Sequence, residues 1–474
     1  MRKFLPYLML LGLFMPECSS DSEGVPEKPN FLFIAVDDLR PELNCYGAEW
    51  IQSPQIDRLA AGGIRFEYAY CQVPVCGASR ASLLTGLRPT PTRFIDYDTW
   101  AEKDAPGIKS LPGYLKENGY VTISNGKVFH HLNDMRESWS EDPWHPAMEL
   151  SGQSNWRNYR NTENLRIAND HRGAGPAFER MEGDDTLYFD GFTAMKSLKD
   201  LERLKDMDQP FFLAVGFLKP HLPFNAPGKY WDLYDPEKIR MPSNPFPPEN
   251  APAASLHNWG ELRQYAGIPP TGPLPDSLAK KLIHGYYACV SYADAQIGKL
   301  LDKLVSLGLD KNTVVILWGD HGWNLGEHGL WCKHCNYETS LRAPLLLRVP
   351  WLQGNKHTGA LVEFIDIYPS LCELANLPVP PHAVGESLLK FFDNPESPGK
   401  EFVFSRFHAG ESVKNADHRY TEWLDSAQNR YTEMLYDHRN DPEENVNLAG
   451  QPGQNQEIEK FRNSNRELRE KLTK

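Results

Sequence analysis

Apolar residues along the chain gather into short runs, and the longer stretches between them carry a helical rhythm. Asn30–Val36, Val121–Ser124, Phe211–Phe217 and Thr313–Trp318 are almost continuously apolar and predict strands covered on both faces. Between the last runs, Tyr286, Val290, Ala293, Ile297, Leu301 and Leu304 recur at three- and four-residue steps, which predicts a core-facing helix over Ile283–Leu307. Strands alternating with helices point to an α/β fold: a large, mixed and mostly parallel sheet with helices on both faces. Ile365–Leu374 reads as the last helix of this large unit, and Pro378-Val379-Pro380-Pro381 begins a turn-rich connection. Beyond it, Phe402–Phe404, the stretch around His418–Trp423, and Thr432–Tyr436 predict antiparallel strands, with a charged helix over Asn455–Leu472. The expected division is a leader over 1–24, a catalytic domain over 25–395 and a smaller α+β subdomain over 396–474.

The four apolar runs end alike. Asp37-Asp38 follows the first, Lys127 and His130 the second, Lys219-Pro220-His221 the third and Asp320-His321 the fourth. One such pair merely caps a helix or solvates a loop. Four of them, at the carboxyl ends where open α/β sheets bind ligands, predict a single crevice. Residues 134–190 and 223–275 are rich in Trp, Pro, Asn and charge but lack periodicity, and are expected to wall that crevice.

Charge narrows the partners. Fifty Lys and Arg against 63 Asp and Glu give a net charge of −13, which argues against a nucleic-acid binder. Arg2 and Lys3 precede the apolar stretch Phe4–Met15, the pattern of a secretory signal. Cys18 and a polar tether follow, so Cys18 is either a lipid-attachment site giving a membrane tether or is lost with the signal. The expected location is the periplasm or the bacterial envelope. Cys45, Cys71, Cys289 and Cys372 read as scattered, buried small apolar residues or an occasional bridge after export, and Cys332-x-x-Cys335 as a local disulfide or two free thiols.

The chemistry centres on Cys76–Gly86. Pro74 before it and Gly86 after it predict a helix starting at Cys76, which places a nucleophile in the positive field of a helix N-terminus. Arg80, four residues on, shares its face. Asp37, Asp38 and Asp320 converging on one crevice would repel one another without a cation, and their oxygens suit calcium or magnesium, with a histidine making the set less clear-cut.

Cys76-x-Ala78-x-Arg80, continued by Ala81-Ser82-Leu83-Leu84-Thr85-Gly86, resembles the signature of the formylglycine-dependent (type I) sulfatases of the alkaline phosphatase superfamily. Asp37-Asp38, Asp320-His321-Gly322, and Met434–Asp437 with Asp441–Asn445 fall in that family's order. The resemblance is strongest to its iduronate-2-sulfatase branch, through Gly126–His130, Lys219–Phe224 and Asp320–Gly329 with Trp331 and Lys333. Ala78 stands where the motif more often carries proline. The resemblance implies an alkaline phosphatase-like fold and hydrolysis of sulfate esters by a formylglycine made from Cys76 by a maturation enzyme. It implies a calcium ion on Asp37, Asp38, Asp320, His321 and the position-76 oxygen. Arg80 would orient the nucleophile, and Lys127 and Lys333 would clamp the sulfate. His130 and His221 would serve as proton relay and general acid, in either assignment. Trp323 is either core or a sugar platform, and Lys219 is expected to be exposed. The implied substrate is a sulfated oligosaccharide, a uronate 2-O-sulfate attacked from the chain end. The alternatives are another sulfated polysaccharide, a phosphoester or phosphonate, and a non-catalytic glycan-binding role.

Overall fold

The computed structural model describes residues 26–148, 156–427 and 429–473. The leader and Cys18 lie outside them. A seven-stranded sheet forms the centre, built from β1 (Asn30–Val36), β2 (Ile64–Tyr70), β3 (Val121–Gly126), β4 (Phe211–Phe217), β5 (Thr313–Gly319), β6 (Leu345–Arg348) and β7 (Lys356–Glu363). Its order is β7-β2-β6-β5-β1-β4-β3, and β6 alone runs antiparallel to its neighbours. The four apolar runs are therefore adjacent parallel strands, β5-β1-β4-β3.

Side-chain alternation divides the core. Phe31, Phe33 and Ala35 of β1 point into one apolar cluster, and Leu32, Ile34 and Val36 into the other. The first face is covered by the helix Cys76–Thr85 and the Ile367–Leu374 helix, the second by Phe189–Lys205 and the long helix Asp276–Leu307. The predicted helices are present, and Gly86 ends the Cys76 helix at φ 70°, a backbone conformation that glycine adopts without a Cβ penalty.

The carboxy-terminal region forms an antiparallel sheet of β8 (Val403–Phe407), β9 (Gly410–Lys414), β10 (His418–Leu424) and β11 (Arg430–Asp437), with the helix Asn455–Thr473 against it. β9 escapes the sequence reading because Gly410, Glu411, Ser412 and Lys414 show no apolar run. Ion pairs gather where this sheet meets the large unit: Arg419 of β10 bonds Glu338 (2.5 Å) as well as Glu444 of its own region (3.1 Å), and Arg88 and Lys400 share Glu363 at the end of β7. Cys332 and Cys335 are both free thiols, buried in place.

Candidate active site

Strand register sets the site. Val36 of β1 pairs with Phe217 of β4 and Gly319 of β5, and Gly126 of β3 pairs with Gly216 of β4, so the four strands end level. Asp37-Asp38, Lys127, Lys219 and Asp320-His321 therefore emerge side by side. Two glycines make the closest approach work. A Cβ on Gly126 (φ 75°) would lie 2.2 Å from the Gly216 carbonyl oxygen, and one on Gly216 would lie 2.0 Å from the Lys127 carbonyl oxygen.

Arg80 is the hub. Fully buried, it donates from Nε to Asp320 (2.9 Å), from Nη2 to Asp37 (3.2 Å) and from Nη1 to the carbonyls of Val128 (3.0 Å) and Lys127. Its guanidinium lies over the Trp318 ring at 5.7 Å. Cys76 opens the helix above it, with Sγ 3.2 Å from His130 Nδ1. Burial, reinforced by the cation of Lys127, pushes His130 down to about 3, which keeps that imidazole neutral and able to accept a proton.

Asp37, Asp38, Asp320 and His321 are all completely buried. Burial works against the Asp37 charge, but Lys127, His221 and Arg80 outweigh it and hold the carboxyl well below the usual range. Asp38 is pushed well above it by burial, with the charges of Asp37 and Glu261 adding to the rise against His221 and Lys333. Arg80, Lys127 and Lys333 ring these carboxylates from outside, pairing with Asp320, Asp37 and Asp38. His321 Nδ1 lies 2.9 Å from the Gly322 carbonyl, which only an N–H satisfies, so its hydrogen sits there. Nε2 is buried without a hydrogen-bond partner and turns its lone pair toward Asp38 (3.4 Å) and Asp320 (3.6 Å). Acceptors facing one another in this way fit a cation among them, and the mainly oxygen donor set suits a hard divalent ion.

A cavity of about 570 Å³ opens over these groups, lined by Cys76, Lys127, His130, His221 and Lys333 among others. Lys127 Nζ donates to Asp37, and Lys333 Nζ to Asp38 at 3.1 Å and Glu261 at 2.9 Å. His221 Nδ1 faces the Leu222 carbonyl at 2.6 Å, and Nε2 faces Glu261 at 3.1 Å. Both nitrogens thus face acceptors. The predicted walls contribute Trp156, Arg157, Glu261 and Tyr265, from residues 134–190 and 223–275.

One alternative is decided, for Trp323, and one expectation is corrected, for Lys219. Trp323 is wholly buried and does not line the cavity; its ring lies under the Lys333 ammonium at 4.8 Å and so supports that side chain instead of offering a face to a sugar. Lys219 is buried, because its Nζ turns back to donate to the carbonyls of His221 (2.9 Å) and Pro223 (2.6 Å) and thereby ties the loop that carries His221. Glu261, the acidic partner of both His221 and Lys333, was missed; it lies in an aperiodic stretch outside any motif. His334 lines the cavity too.

Comparison with known proteins agrees with this geometry. Residues 29–377 match the family described as Sulfatase, and residues 326–471 match the C-terminal region of N-sulphoglucosamine sulphohydrolase. The chain is 36% identical to the iduronate 2-sulfatase of Mus musculus, over 80% of this chain and 74% of that one. It is 33% identical to the iduronate 2-sulfatase of Homo sapiens, over 88% and 90%. A protein solved in complex with its substrate D-glucosamine-2-N,6-O-disulfate superposes with a TM-score of 0.71 at 21% identity, covering 94% of this chain and 97% of that one. The phosphonate monoester hydrolase of Agrobacterium radiobacter superposes at 0.76 and 20% identity, covering 94% and 96%.

Proposed function

The chain belongs to the sulfatase family and is a sulfuric ester hydrolase with an alkaline phosphatase-like fold, and from that premise we propose that it removes the 2-O-sulfate from a uronate at the end of a sulfated glycosaminoglycan fragment. The observation that carries this reading is the pairing of Cys76, Lys127, His130, His221 and Lys333 in one cavity, in a chain one-third identical to two iduronate 2-sulfatases over most of its length. The proposal includes a formylglycine made from Cys76, a resident calcium ion, and export to the cell envelope directed by the leader.

Asp37, Asp38, Asp320 and His321 would hold calcium, which supplies positive charge for the sulfate oxygens and lowers the pKa of the nucleophile. Formylglycine at position 76 would supply a hydrated aldehyde, one hydroxyl to attack sulfur and the other to release it. The remaining work falls to side chains already in place. Arg80, fixed by two carboxylates and two carbonyls, orients the group at position 76. Lys127 and Lys333 aim their ammonium groups at sulfate oxygens, held back by Asp37 and Asp38 until substrate arrives. His130 Nδ1, neutral and beside position 76, takes the proton there. His221, whose Nδ1 is held on the Leu222 carbonyl so that Nε2 faces the cavity side, donates to the departing sugar oxygen. Closing charged groups into a small cavity also strengthens each of these interactions.

The test is sulfate release from 2-O-, 4-O- and 6-O-sulfated uronate and hexosamine disaccharides, with calcium, using protein whose Cys76 is shown oxidised by mass spectrometry. Release confined to 2-O-sulfated uronates and lost in Cys76→Ala is expected. Silence across that panel from fully oxidised enzyme overturns the uronate reading and directs attention to other sulfated polysaccharides and to phosphoesters.

A further inference from the structure

Lys219 is a buried lysine that serves no carboxylate. It is 3% exposed, and its Nζ donates to the carbonyls of His221 (2.9 Å) and Pro223 (2.6 Å) and, among the described residues, to no acidic side chain. Taking an amine out of water is costly, and a methionine of about the same length carries no such cost. What the amine does there is local. The carbonyl between its two acceptors, that of Leu222, lies 2.6 Å from His221 Nδ1. Three consecutive carbonyls are thus held by side chains of their own loop, the outer two by Lys219 and the middle one by His221. The start of the loop is pinned as well. Asp190, itself buried, accepts from the backbone N–H groups of Leu218 and Lys219 (both 2.8 Å), and the His221 N–H closes a turn onto the Leu218 carbonyl (3.0 Å). With Nδ1 tied to its own loop, the imidazole is left to offer Nε2, which lies 3.1 Å from Glu261 on the cavity side.

We propose that Lys219 is a positioning residue for the proton donor: by locking the backbone on either side of the Leu222 carbonyl, it holds the His221 ring where Nε2 reaches the oxygen that departs from sulfur. This rests on the reading of His221 as that donor, given above. As the S–O bond breaks, its electron pair stays with the departing oxygen, which takes the hydrogen from Nε2 and leaves as an alcohol. His221 is left neutral with its hydrogen on Nδ1, the form that the Leu222 carbonyl already holds, so the ring needs neither a flip nor a change of tautomer. Proton transfer works only over hydrogen-bond distances, and a misplacement of about 1 Å costs on the order of a hundredfold. Lys219 touches no reacting atom and acts through His221. Its contribution therefore follows how much the leaving oxygen needs a proton: large for a sugar alcohol, small for an acidic phenol.

The test reads kcat/KM of calcium-loaded enzyme, with Cys76 oxidised, on 4-nitrophenyl sulfate and on phenyl sulfate, whose departing phenols are strongly and weakly acidic, and takes the ratio of the two. His221→Ala is expected to raise that ratio by about a hundredfold or more. Lys219→Met is expected to raise it by about tenfold or more, and to raise it no further when added to His221→Ala. Lys219→Gln, whose amide sits one bond short of both carbonyls, is expected to raise it at least about threefold and decides the matter if the methionine variant does not fold. A residue that only supports the fold lowers both rates together. An unchanged ratio in the Lys219 variants, or an effect that adds to that of His221→Ala, therefore overturns the proposal and leaves His221 in its role. An unchanged ratio in His221→Ala instead removes His221 as the donor, and Lys219 falls with it. If native enzyme cleaves no aryl sulfate, the ratio is read between a hydrolysed sugar sulfate and its analogue fluorinated beside the departing oxygen, whose alcohol is the more acidic, with the same outcomes.

Discussion

At the scale of single residues, the site is organised by who holds which hydrogen. His321 gives its hydrogen to a backbone carbonyl and keeps a bare nitrogen for the cluster, whereas His221 faces an acceptor on each side. Replacing His321 with alanine removes that nitrogen while leaving three buried carboxylates, so calcium affinity measured by calorimetric titration should fall at least about tenfold. Saturating calcium should also raise the melting temperature of the native enzyme, by the several degrees that about 2.7 kcal/mol represents at a hundredfold excess over Kd. His130 supplies a pH prediction. Because its pKa is lowered to about 3, it stays neutral as pH falls from 8 to 5 and its capacity to accept a proton is not lost in that window. His130→Ala should cut kcat/KM by about 10²- to 10⁴-fold and leave the position of the acid limb above pH 5 unchanged, as read from pH–rate profiles of both proteins.

At the scale of elements, the level ends of β3, β4, β1 and β5 turn one sheet edge into a row of functional groups. That edge depends on two facing glycines. Gly126→Ala would drive a methyl group into the Gly216 carbonyl, so β3 must shift and carry Lys127 with it. The variant is expected to lose about 1–3 kcal/mol of stability by denaturant titration, with kcat/KM falling far more than a surface substitution would cause. Much of this edge is legible in the amino-acid sequence, because a strand covered on both faces spells itself as an apolar run and the first polar residues after it must face the crevice. The Cys76 helix is legible for a similar reason, bounded by Pro74 and Gly86. What escapes lies where tertiary context decides. β9 is a buried strand written in polar residues, satisfied by its neighbours β8 and β10. Lys219 precedes a proline and reads as loop, yet its ammonium folds back onto two carbonyls. Trp323 reads equally as core or as a sugar platform, and only the fold decides for core, with its face spent on Lys333. Glu261 has no periodicity and no motif around it, and only the folded chain shows its two cationic partners.

At the scale of the molecule, the carboxy-terminal sheet is clasped to the large one through buried charges. Glu363, at the end of β7, accepts both guanidinium nitrogens of Arg88, takes the Phe404 backbone N–H at 3.0 Å, and lies 3.4 Å from Lys400. Burial opposes its charge, but Arg88 and then Lys400 outweigh it and hold the carboxyl down at about 2. A depressed carboxylate stabilises the fold fully above its unfolded pKa near 4.5, and that contribution drains away as pH falls toward 2. Glu363→Gln should therefore destabilise the protein by about 3–5 kcal/mol at pH 7, with the gap between variant and native narrowing steadily below pH 4.5, as followed by denaturant titrations across that range.

The level strand ends have a consequence for how such an enzyme changes over time. The reacting groups hang from a rigid sheet, while much of what would touch the rest of the sugar, including Trp156, Arg157, Glu261 and Tyr265, hangs from two long segments elsewhere in the chain. Floor and most of the walls are thus carried by different segments of the chain, joined where Glu261 meets Lys333 and His221. A lineage can rewrite its walls, one insertion or substitution at a time, and meet a new sugar without rebuilding the apparatus that breaks the ester. The same separation makes the stretch around Trp156 and Arg157 a natural graft point for transplanting selectivity between members of the family.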